Sequence, residues 1–374
     1  MQKGNENAAR ARNAEYNKRV NRLSILKILK RKPASRIELS SETGLTRAAI
    51  TLITREMLSE GLIAEGETAP RAKKGKTPIP LSVNPEAFYA VGVYWTRTGA
   101  EIGLSDFSGN ILSRKTVSLP VAGDLQPLAD GIRALLRMHA DKSIIGIGVS
   151  APGPLDAENG VILHPPYFDK WRNTPVTKTL TDALSLPVYL EKDAYALAKY
   201  HLETGGSRDF LLLLVDSGVG SGVVTGGKLL ISANQYTSEL GHISIRFDGK
   251  KCACGNRGCL EKYASIPNLL EESGGRYKSW NEIIDNGDDQ LIEREAEYLS
   301  AGIITIKNLV NIDTVYLAGH IKYGFELLSE KMQKIIRERS MLKSPVSILP
   351  SFSASEFGVS AAANLVFSKL LENL

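Results

Sequence analysis

Apolar residues recur at helical spacing from Val20 through Leu23 and Leu26 towards Leu29, with Lys27 and Lys30–Lys32 on the other side. Pro33 ends that helix. Ser35-Arg36-Ile37-Glu38 is a capping-box sequence and predicts a second short helix that stops at Gly44. Thr46 is a natural N-cap for a third helix running to about Glu60, which Gly61 terminates. In that third helix the spacing places Ile50, Ile53, Met57 and Leu58 towards a core and leaves Arg47, Ala48, Thr51, Thr54 and Arg55 outside. Two β-like stretches follow, 62–65 and 79–83, on either side of the cationic run Arg71, Lys73, Lys74 and Lys76. Two short helices joined at a glycine turn, followed by such a hairpin, predict a winged helix-turn-helix over 18–85.

Beyond residue 86 the periodicity changes, and two stretches look alike. The first runs from Ala90–Tyr94 through Ala100–Leu104 to Gly109–Arg114, and the second from Phe210–Val215 through Gly222–Val224 to Lys228–Ile231. Each reads as three successive strands with tight turns, followed later by helical segments. A strand at Ile144–Val149, a Pro/Gly loop at Ala151–Leu155 and a strand–helix junction at Val188–Ala198 lie between them. A strand at Thr314–Leu317 and a helix from about Glu356 to Leu371 close the chain. Such duplication predicts two related α/β lobes around a cleft.

Charge sharpens this division. Residues 1–85 hold 17 Lys and Arg against eight Glu and no Asp, whereas the remainder holds 29 basic against 33 acidic residues. A head of charge +9 on a mildly acidic body is the footprint of a nucleic-acid-binding module joined to something else. Arg47 and Arg55 are placed to meet guanine edges or phosphates in a major groove, and Ala48 and Thr51 to meet bases. Arg71, Lys73, Lys74 and Lys76 form a wing tip suited to phosphates or a minor groove. Apolar runs such as Phe210–Val215 are far shorter than a membrane span, and the first twenty residues are polar and basic, so a cytoplasmic protein with no membrane partner is expected.

All three cysteines lie between 252 and 259, an odd and tight cluster that argues against a disulfide framework. His242 with Cys252, Cys254 and Cys259 can close a tetrahedral zinc site that has no open position for water, which makes the metal structural. Gly255 and Gly258 permit the tight turns between the thiols.

The run Thr237-Ser238-Glu239-Leu240-Gly241-His242, followed by Cys-x-Cys-Gly-x-x-Gly-Cys-x-Glu, resembles the signature of the ROK family of repressors and sugar kinases. The resemblance implies an α/β body with a two-lobed, actin-like (ribonuclease H-like) sugar-kinase fold. Its first lobe is expected at 86–193 plus 355–374 and its second at 194–354, with residues 1–17 a basic flexible tail. It also implies that Asp193 matches the kinases' catalytic base, and that Glu239, His242 and Glu261 match their sugar ligands. Carboxylates suit that task because each accepts two hydrogen bonds from neighbouring hydroxyls.

Three departures bear on nucleotide binding. The kinases' Asp-x-Gly-Gly-Thr phosphate loop is replaced by Tyr94-Trp95-Thr96-Arg97-Thr98, the second glycine loop begins with Asp216, and His320 stands where the kinases have a glycine. Side chains there block the close backbone approach that phosphates need. A fourth departure, Lys192 before Asp193, either favours a phosphorylated or acidic sugar or pairs with Glu191 or Asp193. The expectation is a sugar-responsive, non-enzymatic repressor that binds a palindromic operator as a homodimer, or as dimers paired into a tetramer. Two other readings stay open, a sugar kinase with an appended DNA-binding domain and a repressor released by a protein partner.

Overall fold

In the computed structural model, residues 2–66, 78–96, 99–119, 123–165, 171–231, 238–351 and 354–373 are described. Both halves of the capping box form. Ser35 Oγ accepts from the Glu38 amide, and Glu38 Oε2 accepts from the Ser35 amide at 2.7 Å, opening the helix Arg36–Thr43. Gly44, in the left-handed region at φ +71, closes that helix, and Thr46 Oγ1 accepts from the Ala49 amide to open the helix Arg47–Ser59. Pro80–Val83 is the central strand of a small sheet, paired antiparallel with Ala34–Ser35 and with Ile63–Glu65. This is the expected winged helix. The first helix is longer than expected: it spans Gln2–Arg31 and takes in the residues read as a flexible tail. The alanine- and arginine-rich stretch from Ala8 to Ala14 has the propensity to carry the helix back that far.

The body consists of two five-stranded sheets with the same strand order. In the first, Tyr89–Trp95 is central, antiparallel to Gly99–Asp106 and parallel to Ile144–Ala151. Ile111–Ser118 and Val188–Lys192 form its edges. In the second, Phe210–Val215 is central, antiparallel to Val219–Thr225 and parallel to Thr314–Ala318, with Lys228–Leu229 and Ser347–Pro350 outermost. Both central strands are buried along their whole length and read as continuous apolar runs instead of alternating ones, because both faces of each sheet are covered. Ser347–Pro350 was not expected. It is an edge strand with only Ile348 buried, so its sequence carries almost no apolar pattern.

Two helices lie between the sheets. The C-terminal helix Ala354–Asn373 rides on the first sheet so closely that a Cβ at Gly148 would stand 1.8 Å from the Ala362 carbonyl. Helix Asp193–Glu203 rides likewise on the second sheet, where a Cβ at Gly222 would stand 2.6 Å from the Ala198 Cβ. Gly222, in the loop and strand that follow Asp216, is therefore a site of helix packing. The head is not separate from this body. Ile25, Leu29, Leu39 and Met57 share one buried cluster with Phe107, Val366, Phe367 and Leu371.

Candidate functional site

Strand ends from both sheets converge on a cavity of about 590 Å³, with Trp95, Lys192, Asp216 and Gly319 among its lining residues. The cleft thus opens at the C-terminal ends of parallel strands, where α/β sheets bind ligands. Asp193, Glu239, His242 and Glu261 all line it. Asp193 is the first residue of its helix and its Oδ1 accepts from the Ala194 amide at 2.7 Å. Burial pushes its carboxyl up to about 6, against the opposing pull of that amide and of Lys192. Glu261 is buried, and its Oε2 accepts from the Val219 amide at 3.0 Å, while Oε1 has no partner among the described residues. A buried acceptor left open inside a cavity is what a ligand hydroxyl would satisfy.

Lys192 settles on a partner that the sequence did not suggest. Its ammonium lies 2.7 Å from Glu239 Oε1, and Glu191 instead accepts from the Lys192 backbone amide at 2.9 Å. The lysine side chain is only 11% exposed, whereas that of Glu239 is 36% exposed, so water reaches the pair from the carboxylate side.

At the other end of the cleft the substituted residues satisfy each other. Asp216 Oδ1 accepts from both the backbone amide and Nδ1 of His320, each at 2.6 Å, and the carboxylate raises the imidazole's pKa. The Tyr94 ring packs against the backbone of the C-terminal helix at Gly358. Its hydroxyl is pushed well above its ordinary pKa by burial and by Asp193 and Asp216. Arg97 and Thr98 lie outside the described residues.

The residues that could hold a metal flank the acidic end. His242 ends the short turn Leu240–His242 three residues after Glu239, and Cys259 precedes Glu261 by two. The four donor atoms lie within 4.8 Å of one another. Cys254 Sγ is 3.7 Å from Cys259 Sγ, and His242 Nδ1 is 3.6 Å from Cys252 Sγ. A tetrahedral ion with Zn–S bonds of about 2.3 Å and Zn–N bonds of about 2.0 Å has edges of about 3.8 and 3.6 Å, which these two separations match, so the donor set could hold a metal. Burial and the neighbouring thiols push Cys259 up to about 12, a penalty that a divalent cation would remove. Gly255 and Gly258 are left-handed, as the turns require.

On the head, Arg47, Ala48, Thr51 and Arg55 are all exposed on the helix Arg47–Ser59. Thr54 is not. It is fully buried, donating to the Ile50 carbonyl at 2.8 Å and accepting from Arg36 Nε at 3.1 Å, because the Arg36 side chain folds over it. Leu58 is only partly buried. Leu52, 62% exposed, shares the outer surface and was not singled out by the sequence, where it passes for an ordinary core leucine. The wing-tip residues Arg71, Lys73, Lys74 and Lys76 lie outside the described residues.

Comparison with known proteins places this geometry. The chain is 29% identical over 357 residues to the xylose repressor of Caldicellulosiruptor bescii, covering 87% of this chain and 89% of the relative. A solved ROK family transcriptional regulator, described as a homologue of the Escherichia coli Mlc protein, superposes with a TM-score of 0.78 at 25% identity, covering 95% of this chain and 96% of the other. A ROK family glucokinase from Streptomyces griseus, solved with glucose and AMPPNP, shares the fold with a TM-score of 0.65 at 24% identity over 75% of this chain and 99% of its own. Residues 90–368 match the model of the ROK family, and the chain belongs to that family.

Proposed function

We propose that this chain is a sugar-responsive DNA-binding repressor whose kinase-like body senses the effector and does not phosphorylate it. The observation that carries the reading is the state of the cleft. Its acidic end keeps an open acceptor on Glu261, while Asp216 and His320 pair with each other at the nucleotide end. The exposed face of Arg47, Ala48, Thr51 and Arg55 supports major-groove docking, with Leu52 available for a thymine methyl. The wing-tip cations Arg71, Lys73, Lys74 and Lys76 would add phosphate contacts. A homodimer would set two such helices on a palindromic operator.

Asp193, Glu239, His242 and Glu261 would receive the sugar, with Asp193 as an acceptor and not a base. Lys192 is already neutralised by Glu239, and the other described lysine of the lining, Lys278, is exposed, so among the described residues the cleft carries no spare buried lysine for a phosphate or carboxylate. The effector class that fits is a neutral sugar. Zinc held by His242, Cys252, Cys254 and Cys259 would fix the segment from Glu239 to Glu261. His242 would serve both sites, one ring nitrogen on the metal and the other towards the ligand.

The test is thermal melting of the zinc-loaded protein with D-xylose, D-glucose, N-acetyl-D-glucosamine, glucose 6-phosphate, glucuronate and ATP–magnesium in parallel. A sugar present at about a hundred times its Kd adds roughly 2.7 kcal/mol of stability. A shift with a neutral sugar and none with ATP is expected. A shift with ATP, accompanied by sugar phosphate formation, would return the chain to the kinases.

A further inference from the structure

One helix reaches from the effector end of the cleft to the DNA-binding head. Asp193, which lines the cavity, begins it, and Glu203 ends it. Its eleven residues span about 16 Å at 1.5 Å per residue. A helix leaves its last carbonyls without partners inside the helix. Here two of them are taken up by the head: Arg31, the last residue of the first helix, donates from Nη2 to the Leu202 carbonyl at 3.1 Å and from Nε to the Glu203 carbonyl at 3.3 Å. A cation from the DNA-binding unit therefore sits at the negative end of the effector helix.

The adjacent residue makes a second connection. Lys30 Nζ lies 5.0 Å from the Phe107 ring centre and 4.9 Å from that of Phe367, and it donates to Asn364 Oδ1 at 3.3 Å. The same Asn364 amide donates through Nδ2 to Glu203 Oε2 at 2.8 Å, and Ser368 Oγ donates to Glu203 Oε1 at 3.0 Å. Lys30, Asn364 and Glu203 thus form one continuous polar chain in a mostly apolar setting. Burial lowers the pKa of Lys30, while the charges of Glu203 and Asp106 hold it up.

We infer that helix Asp193–Glu203 transmits effector occupancy to the head, and that Arg31 and Lys30 are the positioning residues that receive it. The helix lies between the lobes, packed on the second sheet through Ala198 and Gly222 and against the C-terminal helix of the first. A change in lobe angle must move it relative to at least one neighbour. Close-packed interfaces shift between discrete arrangements and do not deform continuously, so such a movement reaches the far end of a rigid helix undiminished. At that end polar attachments run to the first helix of the head and to Asn364 and Ser368 on the C-terminal helix, and Tyr200 is also bonded to Ser360 of that helix. The inference rests on the sugar-response reading and specifies its route.

The test uses the full zinc-loaded chain and a duplex selected by it from a random-sequence pool. The sugar is whichever of D-xylose, D-glucose and N-acetyl-D-glucosamine raises melting most. The readout is the ratio of duplex Kd with and without that sugar. For the wild type a ratio of about tenfold or more is expected. Arg31→Ala and Lys30→Met should bring it to about threefold or less, with sugar Kd and sugar-free duplex Kd each within about threefold of wild type. Lys27→Ala, which removes an exposed charge from the same helix away from the junction, should keep the full ratio. Full wild-type ratios in the folded Arg31 variant would overturn the inference and leave the sugar response standing. A wild-type ratio of one would overturn the sugar response itself, and the inference with it.

Discussion

The two ends of the cleft treat their polar groups in opposite ways. At the acidic end Glu261 keeps one oxygen without a partner among the described residues, and burial pushes the Asp193 carboxyl up to about 6. At the other end Asp216 bonds twice to His320, and Tyr94 packs its ring onto a helix backbone. A buried polar atom without a partner lowers stability, so an end that keeps one is an end shaped for a ligand. An end whose polar groups satisfy each other has been closed. On the proposed reading, the contrast separates ligand-binding from vestigial carboxylates within a single cavity, which a count of acidic residues would not do.

The harshest way to break the contrast is to remove what holds the acidic end. Cys259→Ser should cost about 3–5 kcal/mol and lower the melting temperature by roughly 6–20 °C, with loss of bound zinc, by calorimetry and metal analysis. Sugar binding should vanish with it, since Glu239 and Glu261 bracket the metal loop. Next in size, Glu261→Gln should weaken the sugar about ten- to a hundredfold by titration calorimetry, because a charged acceptor is lost. His320→Gln should leave sugar affinity where it was, and equal losses in the two variants would erase the distinction between the ends.

The smallest effects are in pH, and they fall in two successive windows. Asp193 is raised by burial, so the unfolded chain ionises first, and stability from this group falls as pH rises from about 4 to about 6. His320 is raised by Asp216, so its contribution is complete at low pH and is lost as pH climbs through the elevated imidazole pKa. Melting against pH should lose the lower step in Asp193→Asn and the upper one in His320→Gln. The upper step should be under about 1 kcal/mol, because the imidazole is 75% exposed.

Much of this was legible in the chain because it is local. The capping box at Ser35, the N-cap at Thr46 and the four metal donors within eighteen residues of one another each depend on short spacings. The duplicated strand pattern gave both lobes for the same reason. What escaped were pairings between residues distant in sequence. Lys192 finds Glu239 and not its neighbours, and Asp216 and His320, each read as a separate loss, prove to be partners 104 positions apart. Thr54 went to the wrong side because helical spacing does not foresee Arg36 folding across it. The edge strand Ser347–Pro350 was missed because it buries too little to show a period.

The buried cluster shared by head and body also bears on how such a protein folds and recombines. Ile25 and Leu29 belong to one core in which head residues such as Leu39, Ile50 and Met57 pack together with Phe107, Phe367 and Leu371 of the body. The winged helix therefore shares its packing with the C-terminal helix, and losing that helix should loosen both. Nor is the winged helix a cassette for gene fusion: grafted onto a foreign partner, it would expose that apolar seam to water. On the proposed reading, exchanging operator specificity between relatives would mean replacing the outer face of Arg47–Ser59 in place, not swapping heads.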